Sequence, residues 1–322
     1  MRFRHAIGMA TLALVTGTVA CDAPSAERLN GMIALHQQDK PVFGLYAPRA
    51  RTGRGRGGGA APESPAKTPT ELASETLAYA SSDFVFDGSM ERSVDRALPA
   101  FSDFVGAMQA AGADARSNPL VVKMQEIGSD YDGAREAIAK QLDAGVSTIM
   151  FVGVESAEEV RQGLAAMRFA WNGGTRPDPV DGAPAYWGVS EAEYHQKADL
   201  WPLNPDGELL NWTIVESHEG LANVREIAAV EGIGVLWPGA GTLRGLFSTT
   251  DDAGERVLDA EGWENAIQTV LSACKEFDVP CGYPANVSDI EMRMQQGFSV
   301  FVMGWGEAGF ETVDLGLRLS RR

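Results

Sequence analysis

Short apolar runs recur along the chain from residue 42 to residue 303, and polar stretches separate them. Eight of these runs are expected to form strands, near residues 42–46, 83–87, 119–123, 147–153, 211–216, 234–238, 280–284 and 299–303. Short runs that are apolar almost throughout are typical of strands buried in a parallel sheet. Because eight parallel strands close a (β/α)8 barrel, the pattern predicts an α/β fold of the TIM-barrel type over residues 41–322.

Amphipathic stretches between the runs predict helices that cover the barrel. One apolar face consists of Ala134, Ala137, Ile138 and Leu142, and another consists of Val160, Leu164 and Met167. The second face follows the capping box Ser156-x-x-Glu159, and Ser288-x-x-Glu291 has the same signature before a later helix. Alternating strands and helices with right-handed crossovers favour one sheet closed on itself.

The first residues have the pattern of a secretory signal. Arg2 and Arg4 precede an apolar run over residues 6–20, which is too short to span a bilayer and suits the apolar core of a signal peptide. The sequence therefore predicts a signal peptide over residues 1–21 and a linker or short helix over residues 22–40. It also predicts an exported, periplasmic protein.

The end of the apolar run, Thr18-Val-Ala-Cys21, resembles a bacterial lipobox. Two outcomes stay open, namely lipidation of Cys21 or cleavage nearby without a lipid. In a Gram-negative lipoprotein, Asp22 directly after the cysteine would favour retention at the inner membrane. A lipid anchor at Cys21 is the one membrane contact that the sequence suggests.

Composition narrows the classes of partner. The 322 residues are 44% hydrophobic and 22% charged, which is enough for a large core. Lys and Arg number 27 against 44 Asp and Glu, so the formal net charge is -17. Because a strongly acidic chain is repelled by nucleic acid and by anionic membrane surfaces, neither is expected as a partner.

Two further features leave alternatives open. Residues 49–70 are rich in Gly, Arg and Pro and are expected to form a flexible loop above the barrel face. This loop is interpreted first as a tolerated insertion and second as a lid or clamp for an anionic substrate. Cys274 and Cys281 either form a disulfide in an oxidising compartment or are two small buried residues, and the sequence favours the second interpretation.

Five stretches share their order and spacing with one protein family: Phe84-Val-Phe-Asp-Gly88, Gln141-Leu-Asp-Ala-Gly145, Phe151-Val-Gly-Val-Glu-Ser-Ala-Glu-Glu159, Tyr194-His-Gln-Lys-Ala198 and Glu216-Ser-His-Glu-Gly-Leu-Ala-Asn223. From about residue 43 to residue 310 the chain resembles the HpcH/HpaI aldolase and citrate lyase family. The resemblance implies a metal-dependent carbon-carbon lyase that acts on a small 2-oxo or hydroxy acid through a metal-bound enolate. It also implies a divalent cation, Mg²⁺ or Mn²⁺, and a homo-oligomer, either a trimer or a hexamer.

The resemblance assigns two metal-ligand positions and one positively charged side chain to the site. Glu216, at the end of the fifth strand, matches the first metal carboxylate of the family. Thr242 falls at the second metal position, where the family has an aspartate, and its neutral hydroxyl should weaken cation binding. Lys123 replaces an arginine, so it keeps the positive charge but loses the planar bidentate group. Lys123 is expected to hold the carboxylate or enolate oxygen of the substrate.

The base of the family, a histidine-aspartate pair, is incomplete here. The histidine position falls near Met90, while Asp143 matches the aspartate partner. Asp87 and Asp143 are expected to support water in the site. Glu91 and His218 are candidate replacements for the base, although a solvated acid and a capping or packed residue are the simpler interpretations.

A competing function belongs to another class of protein. Loss of the second carboxylate and of the histidine also fits a catalytically degenerate exported barrel that binds a small acid or a protein partner. A tight divalent metal site centred on Glu216 distinguishes the enzyme from the binding protein. Arg176, in Gly-Gly-Thr-Arg-Pro, is expected in a surface loop.

Overall fold

The computed structural model describes residues 28–50 and 65–322. The strands of this part of the chain are β1 Val42–Tyr46, β2 Val85–Asp87, β3 Leu120–Lys123, β4 Thr148–Phe151, β5 Leu210–Val215, β6 Val235–Pro238, β7 Ser248–Thr250, β8 Arg256–Leu258, β9 Gly282–Tyr283 and β10 Val300–Met303. Each of the eight predicted runs overlaps one strand, while β7 and β8 form a separate antiparallel hairpin. The predicted strand positions are confirmed.

The eight remaining strands form one parallel sheet in the order β6-β5-β4-β3-β2-β1-β10-β9. A parallel bridge between Leu236 and Cys281 joins β6 to β9, and the Leu236 N–H donates to the Pro280 carbonyl at 2.9 Å. These contacts bring the two edges of the sheet together, so the predicted TIM barrel is confirmed. In such a barrel, the loops after the strands form the face that carries functional side chains.

The helices of the described residues alternate with the barrel strands. They are α1 Gly31–His36, α2 Pro69–Ala78, α3 Val94–Ala110, α4 Tyr131–Asp143, α5 Ala157–Met167, α6 Ala183–Trp187, α7 Glu191–Lys197, α8 His218–Ala222, α9 Val224–Ala228, α10 Ala240–Leu246, α11 Ala260–Glu276, α12 Ile290–Gln296 and α13 Glu307–Leu319. Short 3₁₀ turns lie at Ser89–Glu91 and Ala170–Asn172. The apolar faces predicted for α4 and α5 are buried in the core.

The two predicted capping signatures have different outcomes. The Ser156 side chain accepts from the Glu159 N–H at 3.2 Å and caps α5 as expected. The prediction at Ser288 is wrong, because α12 has Asp289 as its N-cap residue and no side-chain cap hydrogen bond. Ser288 instead donates its hydroxyl to the Asn286 side chain in the preceding turn.

Aromatic rings fill the inside of the barrel. Trp212 lies against Trp237, with ring centroids 5.0 Å apart, and Phe84 meets Trp212 edge to face at 5.2 Å. Gly44 in β1 and Gly282 in β9 lie directly under Phe84 and Trp237, so that a Cβ atom at either glycine would overlap the ring. The rings therefore pack only because these two strands carry no side chain at those points.

Helix α1 packs on the end of the barrel where the strands begin. Met32 and Ile33 are fully buried in the same apolar cluster as the interior rings. His36, the last residue of α1, stacks on Trp201 with ring centroids 5.8 Å apart. Its Nε2 atom is buried and has no hydrogen-bond partner among the described residues. Burial lowers the pKa of His36 from 6.5 to about 4.

A disulfide joins Cys274 in α11 to Cys281 just before β9, with the Cα atoms 5.7 Å apart. The preference for two separate buried residues is therefore wrong. The helix ends at Glu276 and the chain turns back over four residues to Cys281, which brings the two Cβ atoms within bonding range. Both cysteines are buried, with 2% exposure each.

Several sequence predictions lie outside the described residues. The signal peptide over residues 1–21, the cysteine of the lipobox and residues 51–64 of the Gly-rich loop belong to this group. Within residues 28–50 and 65–322, no helix has both the length and the apolar character needed to cross a membrane.

The disulfide should stabilise the fold. Replacing both Cys274 and Cys281 with Ala is expected to lower the free energy of unfolding by about 2–4 kcal/mol, since the bridge limits the conformations of the unfolded chain. Denaturant unfolding with and without a thiol reductant measures the effect. The reductant should destabilise the wild type and leave the double variant unchanged, and equal sensitivity of the two proteins would refute the bridge.

His36 should make stability depend on pH. The native state keeps His36 neutral down to about pH 4, whereas the unfolded chain binds a proton below pH 6.5, so stability falls as the pH drops from 6.5 to 4. A shift of this size corresponds to about 3 kcal/mol. Denaturant unfolding of His36→Phe should show a flatter pH profile in this window. His218→Gln, at an exposed histidine, should keep the wild-type profile; no difference between the two variants would contradict the assignment.

Candidate functional site

Three of the predicted site residues lie on the same face of the barrel, where the strands end. Asp87 is the last residue of β2, Lys123 is the last residue of β3, and Glu216 directly follows β5. Each of these side chains is partly buried. The face therefore combines two carboxylates and one ammonium group on a rigid frame.

Lys123 forms an ion pair that the sequence did not favour. Its Nζ atom lies 3.2 Å from Glu91 Oε1, and the exposed fractions of the two side chains are 15% and 42%. Glu91 ends the 3₁₀ turn after β2, which directs its carboxylate toward the neighbouring strand end. The structure thus connects Glu91 to the site, where the sequence had favoured a solvated acid.

The turn after β2 also determines where the side chain at the expected histidine position lies. Asp87 accepts a hydrogen bond from the Ser89 N–H at 2.7 Å, so its carboxylate shapes the turn. Met90 is completely buried, and its sulfur lies 3.6 Å from Nε2 of Gln141 in α4. The side chain at the histidine position therefore belongs to the core and does not reach the reaction face.

Tyr46, the last residue of β1, is a site residue that sequence reasoning missed. A Cβ atom placed on Gly88 would lie 3.4 Å from the Tyr46 ring and 3.9 Å from Cδ of Lys123, so both side chains lie next to Gly88. Burial raises the pKa of Tyr46, and Lys123 partly opposes this change. The phenol is therefore protonated at neutral pH and is available as a hydrogen-bond donor.

Glu216 is held by backbone from two neighbouring loops. Its Oε1 atom accepts from the Gly153 N–H at 3.1 Å, in the loop after β4. Its Oε2 atom lies close to Gly239, which follows β6, and a Cβ atom there would lie only 2.7 Å away. Glycine at this position therefore leaves the space that the carboxylate occupies.

A second carboxylate lies beside the same loop. Glu126, three residues after the end of β3, has its Oε1 atom 2.9 Å from the position that a Cβ atom on Gly153 would take. Gly153 itself adopts a left-handed conformation with φ of 59°, which exposes its backbone to both side chains. Glu126 and Glu216 thus approach Gly153 from the loops after β3 and β5, which flank the loop after β4. Nothing in the sequence pattern distinguished Glu126 from an ordinary surface acid.

Thr242 and His218 lie farther out. Thr242 is exposed in the first turn of α10. His218 is the first residue of α8, is also exposed, and meets Phe247 edge to face at 5.7 Å, while Ser217 supplies the helix cap. The simpler interpretation of His218 as a packed residue agrees with these contacts.

Asp143 lies at the end of the barrel where the strands begin, opposite the face that holds Lys123. It ends α4 just before β4 begins, so it is separated from the face that holds Lys123. Its carboxylate accepts from Arg176 at 2.9 Å, and burial raises its pKa, although the Arg176 hydrogen bond partly offsets this. The expected pairing of Asp143 with the reaction site is therefore not formed by the described residues of one chain.

Arg176 corrects a second expectation. It is 1% exposed rather than at the surface, and its guanidinium lies 4.5 Å from the centre of the Phe169 ring. It also donates to the Tyr194 hydroxyl at 3.0 Å. Two aromatic rings and one carboxylate compensate for the loss of solvent around the buried charge.

The donor set at this face fits a loosely caged divalent cation. No group of three or more His, Cys, Asp or Glu side chains suited to a metal occurs among the described residues. Glu216 and Glu126 nevertheless offer two hard carboxylate ligands beside Gly153. Mg²⁺ is commonly bound by one or two carboxylates with water and substrate oxygens completing the shell. A cation at this position would take its other ligands from those sources.

A cavity of about 1030 Å³ opens beside the site. Its walls come from the ends of β1, β2 and β10 and from helices α2 and α3. Tyr46, Asp87 and Glu91 line its polar side. Glu216 does not line it, so the cavity and the carboxylate pair occupy different parts of one face.

Comparison with known proteins confirms the resemblance drawn from the sequence. The chain matches the family model of HpcH/HpaI aldolase/citrate lyase over residues 68–304. This match extends from the N-cap of α2 to the residue after β10 and includes every barrel strand except β1. It also includes Glu91, Lys123, Glu126 and Glu216.

Individual relatives are more distant. A hydroxypyruvate/pyruvate aldolase of Delftia acidovorans is 29% identical over 177 residues, which cover 53% of this chain and 57% of the relative. A 2-keto-3-deoxy-L-rhamnonate aldolase of Klebsiella pneumoniae is 28% identical over 155 residues, covering 47% and 53% of the two chains. The chain thus spans about half the length of the curated relatives that it matches.

A solved structure supports the fold along most of the chain. An HpcH/HpaI aldolase/citrate lyase family protein from Burkholderia cenocepacia superposes with a TM-score of 0.61 at 21% identity. The superposition covers 91% of this chain and 96% of the other. At this identity the likeness establishes the barrel alone.

The close packing of Glu216 against Gly239 can be tested by substitution. Gly239→Ala would place a methyl group against the Glu216 side chain and should lower the free energy of unfolding by about 1–3 kcal/mol. Gly241→Ala is a matched control in α10, because a Cβ atom at Gly241 meets no atom within 4 Å. This control should stabilise the protein by up to about 1 kcal/mol. Denaturant unfolding of both variants gives the comparison, and two equal changes would exclude the proposed packing.

Proposed function

The chain belongs to the HpcH/HpaI aldolase/citrate lyase family, and from this premise we propose that it is a divalent-cation-dependent carbon-carbon lyase of the aldolase type. The proposed substrate is a small 2-oxo or hydroxy acid. The observation that carries this proposal is the placement of Glu216 and Lys123 at the ends of β5 and β3, on one face of the barrel. The curated relatives act as aldolases, which supports the reaction class.

Glu216 and Glu126 are the residues that would hold the cation. Glu216 is fixed by the Gly153 N–H, while Glu126 supplies the second negative charge that Thr242 cannot. A divalent cation at this point supplies charge stabilisation for the substrate oxygen that becomes negative during carbon-carbon cleavage. Mg²⁺ and Mn²⁺ both suit carboxylate ligands.

Lys123 would bind the carboxylate of the substrate or the oxygen of its 2-oxo group. Its ammonium group is largely buried, which strengthens its attraction for an anion relative to a fully exposed lysine. The Glu91 carboxylate lies 3.2 Å away and keeps the lysine oriented toward the face. Because Lys123 replaces a planar arginine, it fixes an anion by charge more than by paired hydrogen bonds.

Glu91 is the group that we assign as the proton acceptor in place of the missing histidine. In the cleavage direction it takes the proton of the substrate hydroxyl, and the adjacent carbon-carbon bond breaks to give an aldehyde or ketone. The electron pair of that bond passes to the 2-oxo acid fragment, which then takes up a proton at carbon. The direct contact of Glu91 with Lys123 supports this role, since both groups would meet the same substrate.

A second function is favoured by one observation. Met90 is buried at the position of the family histidine, so the usual base is absent from the face. A barrel without a working base would still hold a small acid at Lys123 while cleaving nothing. This alternative, a catalytically degenerate acid-binding or partner-binding barrel, predicts no cation dependence.

Export from the cytoplasm is part of the proposal. The apolar segment near the N-terminus has the pattern of a signal peptide, and disulfides such as Cys274–Cys281 persist in oxidising compartments. A lipid anchor at Cys21 and assembly as a trimer or hexamer stay predictions.

Cation binding tests the function most directly. Calorimetric titration with Mn²⁺, in the presence of pyruvate or oxalate, should show binding that Glu216→Gln abolishes. Glu126→Gln should weaken the affinity by about 10- to 100-fold. Glu219→Gln is the control, because Glu219 is an exposed acid in α8 and is not one of the two proposed metal ligands, Glu216 and Glu126.

The same variants separate the two functions. A lyase should release pyruvate from 4-hydroxy-2-oxo acids only when the cation is present and Glu216 is intact. Unchanged Mn²⁺ affinity in both Glu216→Gln and Glu126→Gln, or no cation binding by the wild type, would rule out the lyase proposal in favour of the degenerate barrel.

A further inference from the structure

The cavity beside the site is larger than the reaction alone requires. At about 1030 Å³ it has the size of pockets that enclose drug-sized ligands, which is roughly 300–1,000 Å³. Lys123 does not line the cavity, although its ion-pair partner Glu91 does, so a three-carbon acid held at Lys123 would leave this space unfilled. The cavity is therefore suited to a further, larger part of the substrate.

The far wall of the cavity is apolar. Phe101 and Phe104 of α3, Leu72 of α2 and Trp305, which follows β10, all face it. Phe86 of β2 adds a further ring near the strand ends. A sugar-like or multiply hydroxylated group would lose its hydration against this wall without gaining hydrogen bonds.

Most polar residues of the cavity belong to the ends of β1 and β2 and to the segments after them, whereas Lys67 precedes α2. The Tyr46 hydroxyl and the Arg49 guanidinium make no hydrogen bond or ion pair with any described residue, whereas Lys67 pairs with Glu75 at 2.7 Å. Arg49 is exposed and Tyr46 is partly buried against Phe86, with ring centroids 4.6 Å apart. Tyr46 thus stands at the boundary between the charged site and the apolar wall.

The strand order gives the direction in which a substrate would extend. Counting from β5 to β1 through β4, β3 and β2, or through β6, β9 and β10, crosses equal numbers of strands. Glu216 at the end of β5 therefore lies across the face from the cavity at β1, and Lys123 at β3 lies between them. A molecule bound at Glu216 and Lys123 reaches the cavity by extending past Tyr46.

We propose that the cavity binds the leaving half of the substrate, and that this half is a bulky apolar aldehyde, aromatic or long-chain alkyl, rather than a short hydroxylated one. The substrate is then the aldol adduct of a 2-oxo acid with such an aldehyde, and this inference rests on the proposed lyase function. Tyr46 is a positioning residue that donates a hydrogen bond to the aldehyde oxygen.

Binding is tested with acids that the enzyme cannot cleave. Neither 2-oxobutanoate nor 4-phenyl-2-oxobutanoate carries the 4-hydroxyl group that cleavage requires, and the two differ by the phenyl ring alone. Calorimetry on the Mn²⁺-loaded protein should show at least tenfold tighter binding of the phenyl compound. Equal affinity for the two acids would overturn the inference.

Two tryptophan variants on one helix test whether the phenyl preference arises in the cavity. Ala100 is an exposed residue of α3 that lines the cavity, and Ala100→Trp should occupy part of the cavity, block the phenyl ring and remove the tenfold preference. Ala110 is exposed on the same helix outside the cavity lining, so Ala110→Trp should keep the preference.

Thermal unfolding checks that both variants fold. Loss of the preference in both variants, or in neither, would overturn the assignment to this cavity.

Turnover separates this inference from the function on which it rests. Pyruvate release should be faster from the benzaldehyde adduct of pyruvate than from its glyceraldehyde adduct, by at least tenfold in kcat/KM. Equal release from both adducts would keep the lyase and overturn the bulky apolar substrate. No release from either, with the phenyl preference and its Ala100 dependence intact, would overturn the lyase and support the cavity as an apolar binding site.

Discussion

The packing of aromatic rings against bare backbone inside the barrel is the constraint on which the other features depend. Phe84 and Trp237 occupy space that a Cβ atom on Gly44 or Gly282 would need, so strands β1 and β9 approach the interior more closely than side chains would allow. Truncating such a ring to alanine typically costs about 3–5 kcal/mol. Interior packing of this kind fixes the tilt and position of each strand, and it therefore fixes where each strand ends.

Because the strand ends are fixed, the side chains that follow them have little freedom to drift. Lys123 and Glu216 come from strands separated only by β4, and Gly153 in the loop after β4 donates its N–H to Glu216. A site built in this manner is preorganised: the free energy of folding has already covered the cost of bringing like and unlike charges together. Gly239 contributes by leaving room for the carboxylate rather than by contacting a ligand.

The sequence predicts the barrel better than it predicts the site, for a physical reason. Burial of whole strands leaves long apolar runs, and these were sufficient to locate each of the eight barrel strands. The site depends on single side chains whose direction is set by turns, and the turn after β2 buries Met90 while it brings Glu91 to Lys123. Arg176 shows the same limit, since only the fold reveals the Phe169 ring and the Asp143 carboxylate that make its burial tolerable. Residues matched to a family motif gave Glu216 and Lys123, whereas Glu126 carried no signal in the sequence.

The departures from the family pattern replace functional groups at their usual positions with carboxylates from neighbouring loops. The aspartate position holds an exposed Thr242 and the histidine position holds a buried Met90, so two functional groups are lost from their usual places. Two carboxylates appear at the same face from loops after β3 and β2, namely Glu126 beside Gly153 and Glu91 beside Lys123. The number of ionisable groups near Glu216 and Lys123 is thereby maintained, while their positions change and a carboxylate takes the place of a histidine. The half-buried Glu216 accepts a hydrogen bond from a backbone amide and the largely buried Lys123 pairs with Glu91, and these contacts offset part of the desolvation free energy of the two charges. Their position at the open face of the barrel, where a small acid and a cation have access, favours the proposed lyase over the degenerate barrel.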